Sequence, residues 1–367
     1  MIPLPSIIQQ IFADSKEDFV SAFNPSFAGL RVLNHIISCR TPELGAAVYE
    51  CKCGERRIVY HSCRDRHCPV CQGINNARWA EKQMASSLPV KYFHIVFTLP
   101  DFLNPLVLAN PREAFNALFA AASSALLKLC ADQRYLGIKP GFTAVLHTWG
   151  QTMQFHPHLH VILTAGGLSS DGARFVDKSC LQFLFPVKVL SRLFRGIFAD
   201  ALGKSVPLSK ELKSSIFNTE FFCYLKEPLE RADNAVKYLA RYASRVCISE
   251  SRIVAYGKTE GTVAFSYKDN KDGGKQKTMA IPAIEFVRRF LLHVLPKRFT
   301  KIRHYGILAN CGKLDRISRC RRMLSAAVDF IVRSFQKAFM PVCKKCGNPL
   351  PAALHLSAME LNAKMLC

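Results

Sequence analysis

Phe155-His156-Pro157-His158-Leu159-His160-Val161-Ile162-Leu163 leads without a break into Thr164-Ala165-Gly166-Gly167. The apolar, β-branched run after His160 favours a strand. Side chains alternate between the faces of a strand, so His158 and His160 share one face. Two imidazoles about 7 Å apart along the backbone can turn onto one divalent ion, or simply fill a half-buried sheet face. His156 has the same parity but lies about 13 Å from His160 along a strand, too far for both to join one ion.

Upstream, residues 142–149 are a second β-favouring run, and residues 150–155 return the chain to the histidines. So short a link joins antiparallel partners. With the turn centred near Thr152 and Met153, His147 lies opposite His158 on the same face and becomes the candidate third ligand. Gln151 and His94 are rivals. His94 belongs to a third apolar run, residues 91–100, again of high β propensity. Periodicity predicts helices over residues 77–88, 187–202 and 285–295, and over 111–130 with Pro111 at the start. Residues 253–256 and 263–267 read as a hairpin followed by a basic turn over 268–277. The expected class is α+β.

The 367 residues are 49% hydrophobic, enough for one large core or two to three smaller ones. Fifty basic against 27 acidic residues leave a net charge of +23, which calls for a polyanionic partner, most simply nucleic acid. Between Phe286 and Gly347 fifteen Lys/Arg face two Asp, so over half of the surplus lies in this one stretch. The N-terminus lacks a basic leader, and the most apolar helix is interrupted by Asn116, Ser123, Ser124 and Lys128. No membrane partner and a cytoplasmic location are expected.

Fifteen cysteines, an odd number, suit metal binding in a reducing compartment better than a disulfide framework. Cys68-Pro69-Val70-Cys71 has the spacing of a knuckle that presents two thiolates to tetrahedral Zn²⁺. Cys51-Lys52-Cys53 is a tighter pair that a turn before Gly54 can accommodate. Structural zinc on Cys51, Cys53, Cys68 and Cys71 is the first expectation, with Cys39, Cys63, His61 and His67 competing. Such a site gives folding energy to a segment too small for its own core. Arg56, Arg57, Arg64, Arg66 and Arg78 beside it could touch phosphates. Cys343-Lys344-Lys345-Cys346-Gly347 has no clear second pair and reads as a half-site or a remnant.

Residues 233–246 read as a helix that Asp233 can cap. Tyr238 and Tyr242 share one face at i and i+4, and Lys237, Arg241 and Arg245 form a second row. A phenol is a competent oxygen nucleophile and cations hold a phosphate, so this helix suits attack on a phosphodiester. Ordinary amphipathic packing is the plain alternative. Lys297-Arg298-Phe299-Thr300-Lys301-Ile302-Arg303-His304-Tyr305-Gly306 interleaves cations with aromatics, as a groove for single strands does. Lys297, Arg298 and Arg303 are its candidate contacts. A zinc hydrolase built on the histidines is disfavoured, because no H-E-x-x-H pattern is present.

Cys-Arg-Thr-Pro-Glu-Leu-Gly (39–45), Ser-Cys-Arg-Asp-Arg-His-Cys-Pro-Val-Cys-Gln (62–72), Tyr-Phe-His-Ile-Val-Phe-Thr-Leu-Pro (92–100), Leu-His-Thr-Trp-Gly-Gln (146–151), His-Pro-His-Leu-His (156–160), Tyr-Leu-Ala-Arg-Tyr (238–242) and Arg-His-Tyr-Gly (303–306) follow one another in this order. Together they resemble the rolling-circle transposases of the insertion sequence 91 family, over residues 39–310. The resemblance implies an antiparallel-sheet HUH nuclease domain, similar to replication initiators and relaxases, preceded by a small cysteine-rich zinc-binding module. It puts the family's histidines at His158 and His160 and its paired tyrosines at Tyr238 and Tyr242. The implied activity is Mg²⁺- or Mn²⁺-dependent nicking of single-stranded DNA at element ends and target, with strand transfer through a 5′-phosphotyrosine. The family usually shows C-x-x-C where this chain has Cys51-Lys52-Cys53. The expected organisation is a helical segment plus zinc module (1–88), the nuclease domain (89–310) and a basic C-terminal tail (311–367). A non-catalytic zinc-knuckle DNA-binding protein, or a replication initiator or relaxase with the same chemistry, is the competing expectation.

Overall fold

The computed structural model describes residues 5–71, 73–226, 228–230, 234–235, 245–324, 342–350 and 353–360. The chain opens with α1 (Ile7–Asp14), α2 (Lys16–Phe23) and α3 (Phe27–Ser38). The Ser6 and Ser26 hydroxyls start α1 and α3 by accepting the N–H of Gln9 and Gly29, and Asn24 ends α2 in the left-handed conformation. β1 (Ala46–Glu50) and β2 (Arg56–Tyr60) form a hairpin, and α4 (Gly73–Met84) leads out of the cysteine-rich segment.

After β3 (Tyr92–Thr98) come α5 (Asn104–Ala109) and α6 (Pro111–Ala131), which Pro111 opens. β4 (Ile138–Trp149) and β5 (Phe155–Ser169) form a long hairpin, with β6 (Phe175–Asp177) folded back on β5. α7 (Val187–Gly203), α8 (Lys210–Asn218) and β7 (Phe222–Leu225) follow. Next are β8 (Ile253–Gly257), β9 (Thr262–Asp269), β10 (Lys275–Pro282) and α9 (Ala283–Leu291). β11 (Ile302–Gly306), α10 (Lys313–Met323) and β12 (Ala353–Leu356) complete the described elements. The expected hairpin and basic turn over 253–277 thus extend into a three-stranded meander. Gly273 and Gly274 take positive φ in the turn, and Lys277 pairs with Asp269 and Asp272 across it.

The central sheet has the order β11-β4-β5-β3-β7, with β6 beside β5, and every described pairing in it is antiparallel. Phe93, Ile95, Phe97, Phe142, Leu146, Leu159 and Val161 line one face and pack on Phe115, Phe119, Ala122 and Leu126 of α6 and Phe194 and Phe198 of α7. α6 is long and apolar enough to cross a membrane, but 67% of its apolar window is buried in this core. The other face carries the histidines. Part of it is covered where Val145 and Ile162 share an apolar cluster with Ala235, Leu308 and Ile317. The fold is α+β, as expected.

β11 closes one edge of this sheet at Gly306, whose φ is +59°. A methyl group there would stand 1.9 Å from the Pro140 carbonyl oxygen. Gly306→Ala therefore combines a left-handed backbone with a backbone clash and is expected to cost about 2 kcal/mol or more. Denaturant unfolding of the two proteins measures it. An unchanged midpoint would show that β11 can move off β4 freely.

The N-terminal helices do not build a core alone. Ile8, Ile11, Phe12, Val32 and Ile36 pack with Val263 and Phe265 of β9 and Phe286 and Phe290 of α9. The Phe12 ring meets Phe290 edge-on at 5.0 Å. A third sheet, β12-β1-β2, joins the hairpin near the N-terminus to the C-terminal strand.

Candidate metal centre and nucleic-acid cleft

The β4–β5 register pairs His147 with His158 and Val145 with His160. His147, His158 and His160 therefore rise from one face of two adjacent strands, as their parity predicts. The hairpin end is clamped by His293, whose Nε2–H donates to the Met153 carbonyl at 3.1 Å and whose Nδ1 accepts from the Thr148 hydroxyl at 3.2 Å. Met153, at φ +61°, makes the turn and is buried. One potential ligand nitrogen from each of the three histidines lies within 4.8 Å of the others. His147 is held in place by stacking on Trp149 at 4.4 Å.

The hydrogen bonds select the nitrogens. His158 Nδ1–H donates to the His156 carbonyl at 2.7 Å, which leaves its Nε2 lone pair free and 3.2 Å from His160 Nε2. Ligands bonded at 2.0–2.1 Å to one ion and 90–110° apart stand about 3.0–3.4 Å from each other, so the pair fits a shared ion. His160 Nδ1 lies 2.9 Å from His94 Nε2. His94 was a rival third ligand; instead it holds the far side of the His160 ring and so fixes its orientation. Gln151, the other rival, sits at the exposed turn, where its Oε1 faces the Lys268 N–H. Burial pushes His158 down to about 4, His94 to about 3 and His160 well below the ordinary imidazole value. The rings are thus neutral near pH 7, the form that ligates a metal.

These histidines floor a cleft of about 900 Å³. Arg245, Arg252 and Lys271 line it, together with Thr98, Asp101 and Phe222. Phe222 and Tyr224 belong to β7, the edge strand, and register with Thr98 and Val96, so they share the histidine face. They are 61% and 47% exposed and their rings lie parallel, 6.5 Å apart. The pair was not anticipated from the sequence; the alternation Phe222-Cys223-Tyr224 was the available signal. Arg252 was likewise missed. It donates to the carbonyls of Ser266 and Gln151 and ties the meander to the histidine hairpin.

Tyr238, Tyr242, Lys237 and Arg241 lie outside the described residues. On either side of them, Ala235 is buried with Val145 and Ile162 on the histidine face, and Arg245 lines the cleft. Arg303 is elsewhere. Its parity in β11 turns it to the helical face, where its guanidinium lies 4.2 Å from the Phe119 ring centre and donates to Asn116 Oδ1 at 2.6 Å. Lys297 and Arg298 are exposed in the link before β11, where the Lys297 carbonyl accepts from Arg112.

The cysteines divide into two groups, and the expected set of Cys51, Cys53, Cys68 and Cys71 is split between them. Cys68 and Cys71 join Cys39 and Cys63, whereas Cys51 and Cys53 join Cys343 and Cys346. The reason is length. Cys51 and Cys53 sit at the tip of a hairpin whose strands are five residues each, about 16 Å from its base. Cys39 and Cys63 flank that base, where the Cys63 N–H points to Cys39 Sγ at 3.5 Å. His67 is no ligand in either group. Its Nδ1 pairs with Asp65 at 2.9 Å and its Nε2 accepts the Leu295 N–H. His61 stacks on His355. Arg66 is spent on the carbonyls of Pro296 and Phe299, which fasten the cysteine module to the segment before β11.

Two family models match this chain: “Transposase zinc-binding domain” over residues 11–99 and “Putative transposase” over residues 141–315. “Putative transposase y4qJ” of Sinorhizobium fredii is 40% identical over 322 residues, covering 83% of this chain and 80% of that protein. “Transposase for insertion sequence element IS801” of Pseudomonas savastanoi pv. phaseolicola is 28% identical over 371 residues, covering 92% of this chain and 87% of that protein. No solved structure matches. An antiparallel sheet bearing a histidine cluster, joined to a cysteine-rich module, is thus the frame of a transposase, a protein that acts on DNA. The chain belongs to the insertion sequence 91 family, with that family's N-terminal zinc-binding domain.

Proposed function

We propose that this transposase nicks single-stranded DNA at element ends and transfers the cut strand through a 5′-phosphotyrosine, as in rolling-circle transposition in the bacterial cytoplasm. The observation that carries the reading is the convergence of His147, His158 and His160 on the floor of a cleft with an exposed aromatic edge. Three imidazoles, two of them spaced for one ion, fit a catalytic divalent cation, Mg²⁺ or Mn²⁺; an all-nitrogen set favours Mn²⁺ of the two. The cation's contribution is Lewis-acid polarisation of the scissile phosphate. His94 keeps His160 turned inward, and Trp149 does the same for His147. Phe222 and Tyr224 stack unpaired bases, while Arg245 and Lys271 meet the backbone.

Tyr238 or Tyr242 supplies the nucleophile. A Tyr Oη–P bond forms as the P–O3′ bond breaks, the phenol proton passes to solvent, and the departing 3′-oxygen takes up a proton. The phosphodiester's energy stays in the tyrosyl link, so a later 3′-hydroxyl reverses the reaction on another strand. Two phenols let two strands be held at once. Arg241 and Arg245 then position phosphates, and Lys237 adds to the same basic row.

A labelled oligonucleotide carrying the element's own ends tests this. Nicking with an SDS-stable adduct is expected on the single strand with Mn²⁺ or Mg²⁺, and not on the duplex. Equal cleavage in EDTA, or binding without cleavage, sinks the reading in favour of a metal-free enzyme or a non-catalytic DNA-binding protein. The aromatic edge has its own expected outcome. Each base–aromatic stack contributes about 1–3 kcal/mol, so Phe222→Ala with Tyr224→Ala weakens single-strand binding by about thirty-fold or more. Fluorescence anisotropy on single-stranded and duplex probes reads it, and an equal loss on both would remove the stacking role.

A further inference from the structure

We propose that Cys51, Cys53, Cys343 and Cys346 form a second structural Zn²⁺ site, separate from Cys39, Cys63, Cys68 and Cys71, that clasps the C-terminal segment onto the β1–β2 hairpin. All four sulfurs lie within 4.8 Å of one another. Cys51 Sγ is 3.5 Å from Cys346 Sγ, and Cys53 Sγ is 3.6 Å from Cys343 Sγ. Tetrahedral Zn²⁺ with bonds of about 2.3 Å sets its sulfurs about 3.8 Å apart. The observed contacts are close to that spacing and far from a disulfide bond.

Two turns present the thiols. Cys51 N–H donates to Glu55 O and Gly54 N–H to Cys51 O, while Cys343 N–H donates to Asn348 O and Gly347 N–H to Cys343 O. Gly54 and Gly347 follow the second cysteine of each pair at φ +84° and +73°, and a Cβ at either would meet nothing. Glycine is needed there for the backbone angle alone. The C-terminal knuckle, which looked like an orphan in the sequence, is therefore the missing half of the short Cys51-Lys52-Cys53 pair. It lies beyond the residues matched by both family models, which end at 99 and 315.

The surroundings need such a clasp. β12 adds four residues to β1, from Ala46↔Leu356 to Tyr49↔Ala353. The sheet's apolar core is Ala46, Tyr60 and Leu356, with Val48 partly buried beside them. So small a core cannot hold together chain ends 290 or more positions apart. A tetrathiolate zinc supplies that energy and carries two net negative charges, which Lys52, Lys344 and Lys345 in the same turns offset.

Metal content of the purified full-length chain, measured by mass spectrometry after dialysis against a mild chelator that clears the histidine site, is the test. Wild type is expected to retain two zinc per chain. Cys343→Ser/Cys346→Ser should retain one, and Cys51→Ser/Cys53→Ser should also retain one. A wild-type count of one, or an unchanged count in Cys343→Ser/Cys346→Ser, overturns the proposal. A second readout avoids substitution altogether. In the zinc-loaded wild type, Cys53 and Cys346 are exposed yet should resist iodoacetamide, while the exposed Cys180 and Cys311 react. Alkylation of Cys53 and Cys346 at the rate of Cys180 and Cys311 overturns the site whatever the variants do.

Discussion

Replacing Tyr238 and Tyr242 together with phenylalanine is expected to abolish the SDS-stable protein–DNA adduct, with nicking falling to background. Only two hydroxyls are removed, and Lys237, Arg241 and Arg245 beside them in the sequence are kept. Single-strand affinity should therefore change little while covalent attachment disappears. The single variants separate the two roles: each should still attach one strand, and completed transfer should need both. Peptide mapping of the adduct identifies the modified residue. An adduct surviving in the double variant would place the nucleophile outside this pair.

Substituting His158 by alanine is expected to lower metal-dependent nicking by about a thousand-fold or more, because a lost ligand forfeits several kcal/mol of charge stabilisation. His94→Ala should behave differently. His94 touches His160 Nδ1 rather than the ion's position, so its loss costs about 10–100-fold and is recovered by raising Mn²⁺. Titrating Mn²⁺ against nicking rate for both variants distinguishes a ligand from its support. If His94→Ala is as dead as His158→Ala at saturating Mn²⁺, His94 belongs among the ligands rather than behind them.

The histidine site was legible because its determinants are local. Period-two alternation pairs His158 with His160, and a short turn sets the register that brings in His147. What His94 does was not legible, since its contact with His160 depends on β3 pairing with β5 across 66 positions. Arg303 shows a subtler limit. Cations and aromatics interleave along β11, yet alternation sends His304 to Thr143 on the histidine face and Arg303 to Phe119 behind it. Composition suggested a groove; parity separates its members. The cysteine partners failed for a different reason. Proximity along the chain favours joining Cys51 and Cys53 to Cys68 and Cys71, but a rigid hairpin holds the pairs apart and its tip meets residues from the far end.

The shared core between α1–α3 and the α9–meander unit bears on how such proteins can be recombined. Phe12 fills the space against Phe286 and Phe290, at ring distances of 6.5 and 5.0 Å. The first hundred residues look detachable on paper, because a zinc module and a nuclease sheet have separate signatures. Exchanged between relatives at that seam, the graft would carry Phe12 and Ile36 away from the Phe265 and Phe290 they pack on and set a partner shaped for another core in their place. A workable chimera has to move residues 253–291 along with the amino-terminal piece, so the unit of inheritance in this architecture is discontinuous in sequence.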